Sequence, residues 1–180
     1  MKKSLIAAIV LASASFGSAP VLAQVIGNSP QALDLVDMSA YFGDSFEEGN
    51  SGSTFADRFT FTVDGTVGMN LDAIVASVSR SADVGLDITG LWLYDGNDTL
   101  ISQGTSMSTG ATDVWTVAGG NLAAGDYTIR VNGNMVSDDG ASFGGAMMLA
   151  PVPEPEAYGM MLGGLGVLGL LARRRKARRG

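Results

Sequence analysis

The chain has 180 residues, 46% of them hydrophobic, with 18 Asp or Glu against 11 Lys or Arg and with neither Cys nor His. The missing His and Cys exclude Ser-His-Asp and Cys-His catalysis, zinc-thiolate centres, histidine-ligated haem and disulfide chemistry. The formal charge of −7 is unevenly spread: residues 24–150 carry 16 acids and only Arg58, Arg80 and Arg130, a balance of −13 that argues against nucleic acid, whose affinity comes from cations on phosphates.

Residues 1–23 open with Lys2-Lys3, continue through the apolar run Leu5 to Leu11 and small residues to Phe16, and close on Val21-Leu22-Ala23. This is the n-, h- and c-region form of a secretory signal peptide, with cleavage expected between Ala23 and Gln24. Export places the mature chain in an oxidising compartment, where small domains often carry disulfides. Lacking cysteine, this one relies on core packing or on a ligand.

Residues 24–150 read as one acidic domain, long enough to bury its own core. Its hydrophobic pattern has mostly period two, with turn residues between short runs, which predicts strands. Phe55, Asp57, Phe59, Phe61 and Val63 share one face, with Arg58, Thr60 and Thr62 on the other. Met69 to Val78 is ambiguous, since Asp72 to Ala76 also suits a helical turn. Leu86, Ile88, Leu91 and Leu93 form a strand interrupted at Gly90, where a bulge is expected, and Asp95-Gly96-Asn97-Asp98 turns into Thr99-Leu100-Ile101. Trp115 and Val117 mark a further strand. Leu122 to Asp126 is a turn into Tyr127, Ile129 and Val131, and Asp138-Asp139-Gly140 precedes a last strand from Phe143 to Leu149. Six to nine such strands without a convincing amphipathic helix predict an all-β fold, a β-sandwich or jelly roll.

Residues 151–180 differ sharply. Val152-Pro153-Glu154-Pro155 leads into a charge-free run, 157–172, and then into Arg173, Arg174, Arg175, Lys176, Arg178 and Arg179. As a helix, 16 residues span about 24 Å, which crosses a hydrocarbon core of about 30 Å if the arginines snorkel. The positive-inside rule leaves the basic tail in the cytoplasm and the acidic domain outside.

Pro-Glu-Pro, an apolar helix and an arginine cluster, in that order, resemble the PEP-CTERM sorting signal of exopolysaccharide-producing Gram-negative bacteria. The resemblance implies that exosortase, a membrane-embedded protease or transpeptidase, recognises Pro153, Glu154 and Pro155 and cuts near them. Two prolines keep this segment extended and poor in backbone donors, in reach of a membrane enzyme. Phe55-Ala56-Asp57-Arg58-Phe59 is similar to the signature of the FxDxF family of PEP-CTERM proteins. Phe42-Gly43-Asp44-Ser45-Phe46 fits the same formula, but the Phe55 copy is preferred because it opens an alternating strand. Leu91-Trp92-Leu93-Tyr94-Asp95 and Leu122 to Val131 look like the paired strand signatures of bacterial pre-peptidase C-terminal-like sandwiches, an analogy of fold that carries no activity.

The remaining chemistry is carboxylate, hydroxyl and three arginines. All three lysines lie in the terminal segments, and Glu47 and Glu48 sit in a polar stretch that reads as a solvated loop rather than a glycosidase pair. No catalytic residue is assigned and the chain is read as non-enzymatic. Asp57, on an apolar face, accepts backbone N–H groups, pairs with an arginine or ligates calcium. Asp95, Asn97 and Asp98 offer calcium-type oxygens in one turn, although a plain hairpin turn accounts for them and a full site needs six to eight ligands.

The expected function is that of a surface or extracellular-matrix protein, transiently held by the inner membrane and processed by exosortase. It would support biofilm or floc structure, its acidic domain collecting divalent cations that bridge anionic exopolysaccharide. The alternative is a carbohydrate-binding module that uses Trp92, Tyr94 or Trp115 as a stacking platform.

Overall fold

The computed structural model describes residues 24–28, 30–153 and 155–177. The expected signal peptide with Ala23, and also Glu154, Arg178 and Arg179, lie outside the described residues. Among the described residues, eleven strands are arranged in two sheets, followed by one helix.

The first sheet is built from β1 (Val25–Ile26), β2 (Gln31–Ala32), β4 (Thr54–Val63), β6 (Leu86–Asp95), β7 (Leu100–Gln103) and β10 (Gly125–Met135). Its order is β1-β4-β10-β6-β7, with β2 also on β4. The second contains β3 (Ser39–Phe46), β5 (Met69–Val78), β8 (Thr105–Ser108), β9 (Thr112–Leu122) and β11 (Ala141–Pro151), in the order β3-β11-β5-β9-β8. The β1 and β2 pairings with β4 are parallel and the others antiparallel. Most connections pass from one sheet to the other, so neighbours in the chain face each other across the core.

The period-two reading holds strand by strand. Phe55, Asp57, Phe59, Phe61 and Val63 all point inward from β4, and Leu86, Ile88, Leu91 and Leu93 from β6. The expected interruption at Gly90 is a bulge: Asn132 pairs with Gly90 and Gly133 with Ile88, leaving Thr89 as the extra residue. Met69 to Val78 is a strand and not a helical turn. Met69, Leu71, Ala73, Val75 and Ser77 alternate inward between β11 and β9, because two-sided pairing overrides the weak helix preference of an Ala-containing run.

One apolar core fills the space between the sheets. At one end five phenylalanines meet. Phe55 stacks on Phe143 with ring centroids 5.5 Å apart, Phe46 lies 4.7 Å from Phe55, Phe42 lies 5.0 Å from Phe59, and Phe59 meets Phe143 edge-on at 6.2 Å. At the other end Phe61 stacks on Tyr127, whose hydroxyl donates to the Ala123 carbonyl, so the ring is buried with its polar tip satisfied.

The last core strand ends at Pro151, Val152 N–H donates to the Gly68 carbonyl, and α1 (Pro155–Ala177) begins three residues later. Met160, Met161, Leu162, Leu165, Val167 and Leu168 are exposed on all sides of that helix. Among the described residues, however, no helix is long and apolar enough to cross a membrane. The charge-free run stops at 16 residues and five of them are glycine, which shortens and dilutes the expected span.

Replacing Phe143 by Ala removes the ring that three other phenylalanines contact. Urea unfolding of Phe143→Ala is expected to show a loss of about 3–5 kcal/mol, the range for deleting a buried aromatic; a loss below about 1 kcal/mol would mean that the cluster does not hold the sheets together.

Candidate functional site

The two Phe-x-Asp-x-Phe segments lie on consecutive strands of opposite sheets and face each other across the core. β3 carries Phe42, Asp44 and Phe46, and β4 carries Phe55, Asp57 and Phe59, so that Phe42 meets Phe59 and Phe46 meets Phe55. The two aspartates lie between these aromatic pairs. Phe42 and Phe46 are as much a part of the core as Phe55 and Phe59.

Asp57 is 1% exposed. Its Oδ1 accepts the Asn28 N–H at 2.8 Å, while its Oδ2 has no hydrogen-bond partner. Burial pushes its pKa up to about 6, against the lowering effect of the Asn28 N–H, with the nearby charge of Asp44 adding to the rise. Of the three roles open in the sequence, the backbone N–H bond is the one observed, and among the described residues no arginine pairs with Asp57. The Asn28 N–H is presented by the arm that follows β1. There Gly27 adopts φ +126°, and a Cβ would meet Asp57 Oδ1 at 2.5 Å. Both the backbone conformation and the close approach require glycine.

Asp95, Asn97 and Asp98 form a hairpin turn. Asp95 Oδ1 accepts the N–H groups of Asn97 at 2.9 Å and Thr99 at 2.8 Å, and these bonds hold its carboxyl below the usual range. Asp98, at φ 58°, reaches instead to Arg130 Nη2 at 3.5 Å. The turn spends its oxygens on its own backbone and on an arginine. Among the described residues no group of three or more His, Cys, Asp or Glu is placed to hold a metal ion. Glu47 and Glu48 are exposed after β3. Asp113, which the sequence did not single out, is buried, and accepts from Ser77 Oγ and from the N–H groups of Ile88 and Gly110.

The three aromatic candidates separate. Trp115 is on the second sheet, packs against the core and donates its indole N–H to the Ile88 carbonyl at 2.9 Å. Trp92 and Tyr94 instead lie on the outer face of the first sheet, each partly exposed. A side chain at Gly90 would collide with the Trp92 six-membered ring: the indole lies flat over the glycine. The Arg130 guanidinium covers the Tyr94 ring, 4.3 Å from its centroid.

At the C-terminus, Val152 is half-buried and Pro153 exposed. Pro155 opens α1, as its fixed φ allows. Arg173, Arg174, Arg175 and Lys176 continue α1 as its last turns.

Comparison with known proteins places a PEP-CTERM protein-sorting motif at residues 151–176. It implies an exosortase-processed, exported chain with membrane-associated sorting. No curated protein matches the chain. Among solved structures, the pre-peptidase C-terminal domain of collagenase from Bacillus anthracis is similar at 15% identity and a TM-score of 0.35, over 74% of this chain and 100% of that one.

The Asp57 carboxyl sets a pH dependence. In the unfolded chain it ionises near 3.8, whereas in the fold it keeps its proton to about 6, so the folded state binds more protons between these values and is destabilised as the pH rises through them. Asp57→Asn keeps the acceptor for Asn28 and removes the charge. Thermal melts should place Asp57→Asn several degrees above the parent at pH 7, the gap closing below about pH 4; a gap independent of pH would refute the buried-acid account.

Proposed function

We propose that this chain is a non-enzymatic surface or matrix protein, exported, sorted through its C-terminal motif by exosortase and delivered to the outer surface or the extracellular polysaccharide of a Gram-negative bacterium. The observation that carries this reading is the sorting motif at residues 151–176, attached by a proline-flanked connector to the last core strand.

The helix supports a transient membrane stage. Its apolar side chains are exposed all round, a surface suited to lipid, and its basic end can snorkel where the span is short. The domain before it supports a structural role: its buried carboxylates, Asp57 and Asp113, point into the core and are engaged by backbone N–H groups. Two facing Phe-x-Asp-x-Phe strands support membership of the FxDxF group of such proteins. The interleaved orders β3-β11-β5-β9 and β4-β10-β6-β7 support the jelly-roll form of the sandwich, in which paired strands from two Greek keys alternate between sheets.

Intact-mass measurement of the protein from envelope and culture medium tests the reading, with a Pro153→Ala/Glu154→Ala variant alongside. The expected mature form starts at Gln24, ends between Val152 and Glu156, and disappears in the variant. An unprocessed C-terminus retained in the inner membrane would replace this reading with a permanently anchored domain.

A further inference from the structure

The outer face of the second sheet carries almost no charge. Its five strands contain three acids and no base. Asp44 and Asp113 turn inward, so among the described residues of this face only Asp72 is charged. The first sheet, by contrast, exposes Asp126 and Arg58 on its outer face. Large apolar side chains nevertheless stand in solvent on the second sheet: Tyr41 is 85% exposed, Val78 78%, Met148 56% and Ile74 45%. Such a contiguous apolar patch in water marks an interaction surface.

The register gives the patch its relief. Tyr41, Ala146, Ile74 and Thr116 lie side by side across four strands. The small Ala146 between Tyr41 and Ile74 leaves a hollow there, part of the depression of about 440 Å³. Along this face β11 is low, with Ser142, Gly144 and Ala146, whereas its neighbour β5 is high, with Ile74 and Val78. Knobs and hollows therefore occupy adjacent strands of one patch, which is what an isologous contact requires.

We infer that this face binds a second copy of the chain, the two second sheets packing back to back about a two-fold axis that runs along the strands between β11 and β5. That axis lays β5 of each copy over β11 of the other, so that Ile74 enters the hollow at Ala146 and Ala76 lies over Gly144. Asp72 falls opposite Met148, its partner in the register, and not opposite another acid. Charge selects this face as well: residues 24–150 carry −13, and two such copies can approach without opposed acids only where the surface has almost none. The area suffices. Five strands over eight residues cover roughly 24 Å by 26 Å, so two copies bury on the order of 1,200 Å² in all, the lower bound for a specific interface. An axis along the strands also sends both C-terminal segments, which follow β11, out at the same end of the pair. The inference concerns the domain's own face and does not depend on the sorting reading.

A chain without cysteine permits a direct test. Ala146→Cys is introduced into the full chain, in detergent at a concentration where micelles outnumber chains, and treated with a short bis-maleimide. Thr89→Cys, at the exposed bulge of the first sheet, serves as comparison, and thermal melts confirm that each variant is folded. Ala146→Cys is expected to give a cross-linked dimer on denaturing gels and Thr89→Cys to remain monomeric. Adding Ile74→Lys, which places a charge in the contact at an already half-exposed position, is expected to lower the cross-linked fraction about tenfold or more. Met148→Lys repeats that arm at an exposed position should Ile74→Lys not fold. Equal cross-linking of Ala146→Cys and Thr89→Cys would assign association to α1 or to the micelle and overturn the inference. So would the absence of a cross-linked dimer, or its persistence at the parent level in both lysine variants. Protection of Ala146→Cys from a monofunctional maleimide without any cross-link would overturn it too, since the chain's own α1 or another molecule would then cover the face.

Discussion

Five phenylalanine rings hold the two sheets together at one end of the molecule, and the remaining features follow from how they are supplied. Phe42 and Phe46 come from the second sheet, Phe55 and Phe59 from the first, and Phe143 closes the cluster from β11. Without cysteine the sheets have no covalent staple, and each buried ring contributes about 1.5–3 kcal/mol of hydrophobic stabilisation. Neighbouring positions must then leave room. Gly133 faces Phe55, and Gly145 faces Phe42, where an added Cβ would clash in either case. The abundance of glycine in this chain is partly a consequence of packing large rings against a close backbone.

The same arrangement forces a carboxyl into the core. In a strand with alternating faces, the residue between two inward phenylalanines two positions away on either side is itself inward, and here that residue is Asp57. The fold answers with the β1 arm, which runs parallel to the β4 edge, covers it, and brings the Asn28 N–H to the carboxylate. Burial of an only partly satisfied acid, with a second acid, Asp44, beside it, keeps its proton on well above the ordinary carboxylate range. Asp113 shows the contrasting solution, with three donors converging on one buried carboxylate.

Inner and outer faces thus divide the work. The inner faces are filled with aromatic and aliphatic side chains, while the outer face of the first sheet gathers the arginine pair, the flat indole and a polar fringe. The second sheet presents a different exterior, an apolar depression of about 440 Å³ bordered by Tyr41, Ile74 and Met148, without a cation or a buried polar group to orient a ligand. The sorting tail is separate from both faces. It leaves from the end of β11 through Val152 and Pro153, so that its role depends on sequence order and exposure rather than on a built pocket.

What the sequence determined by itself was what depends on neighbours in the chain. Alternation located the inward residues of β4, β6 and β10; Gly90 marked the bulge; Asp95 to Asp98 marked the turn; and Pro153 to Lys176 spelled the sorting motif in a linear order that needs no folding to be read. Met69 to Val78 was not legible, because its helical and strand preferences are close and the decision came from pairing on both sides. Nor was the meeting of Phe42-Gly43-Asp44-Ser45-Phe46 with Phe55-Ala56-Asp57-Arg58-Phe59, since facing positions on different sheets leave no periodic trace. The same holds for Arg58 and Arg130, 72 positions apart in the chain and adjacent only because β4 and β10 pair in one register. Period two says which face a side chain takes, but strand order and register decide whose company it keeps there, and these are set by the burial of the whole core at once.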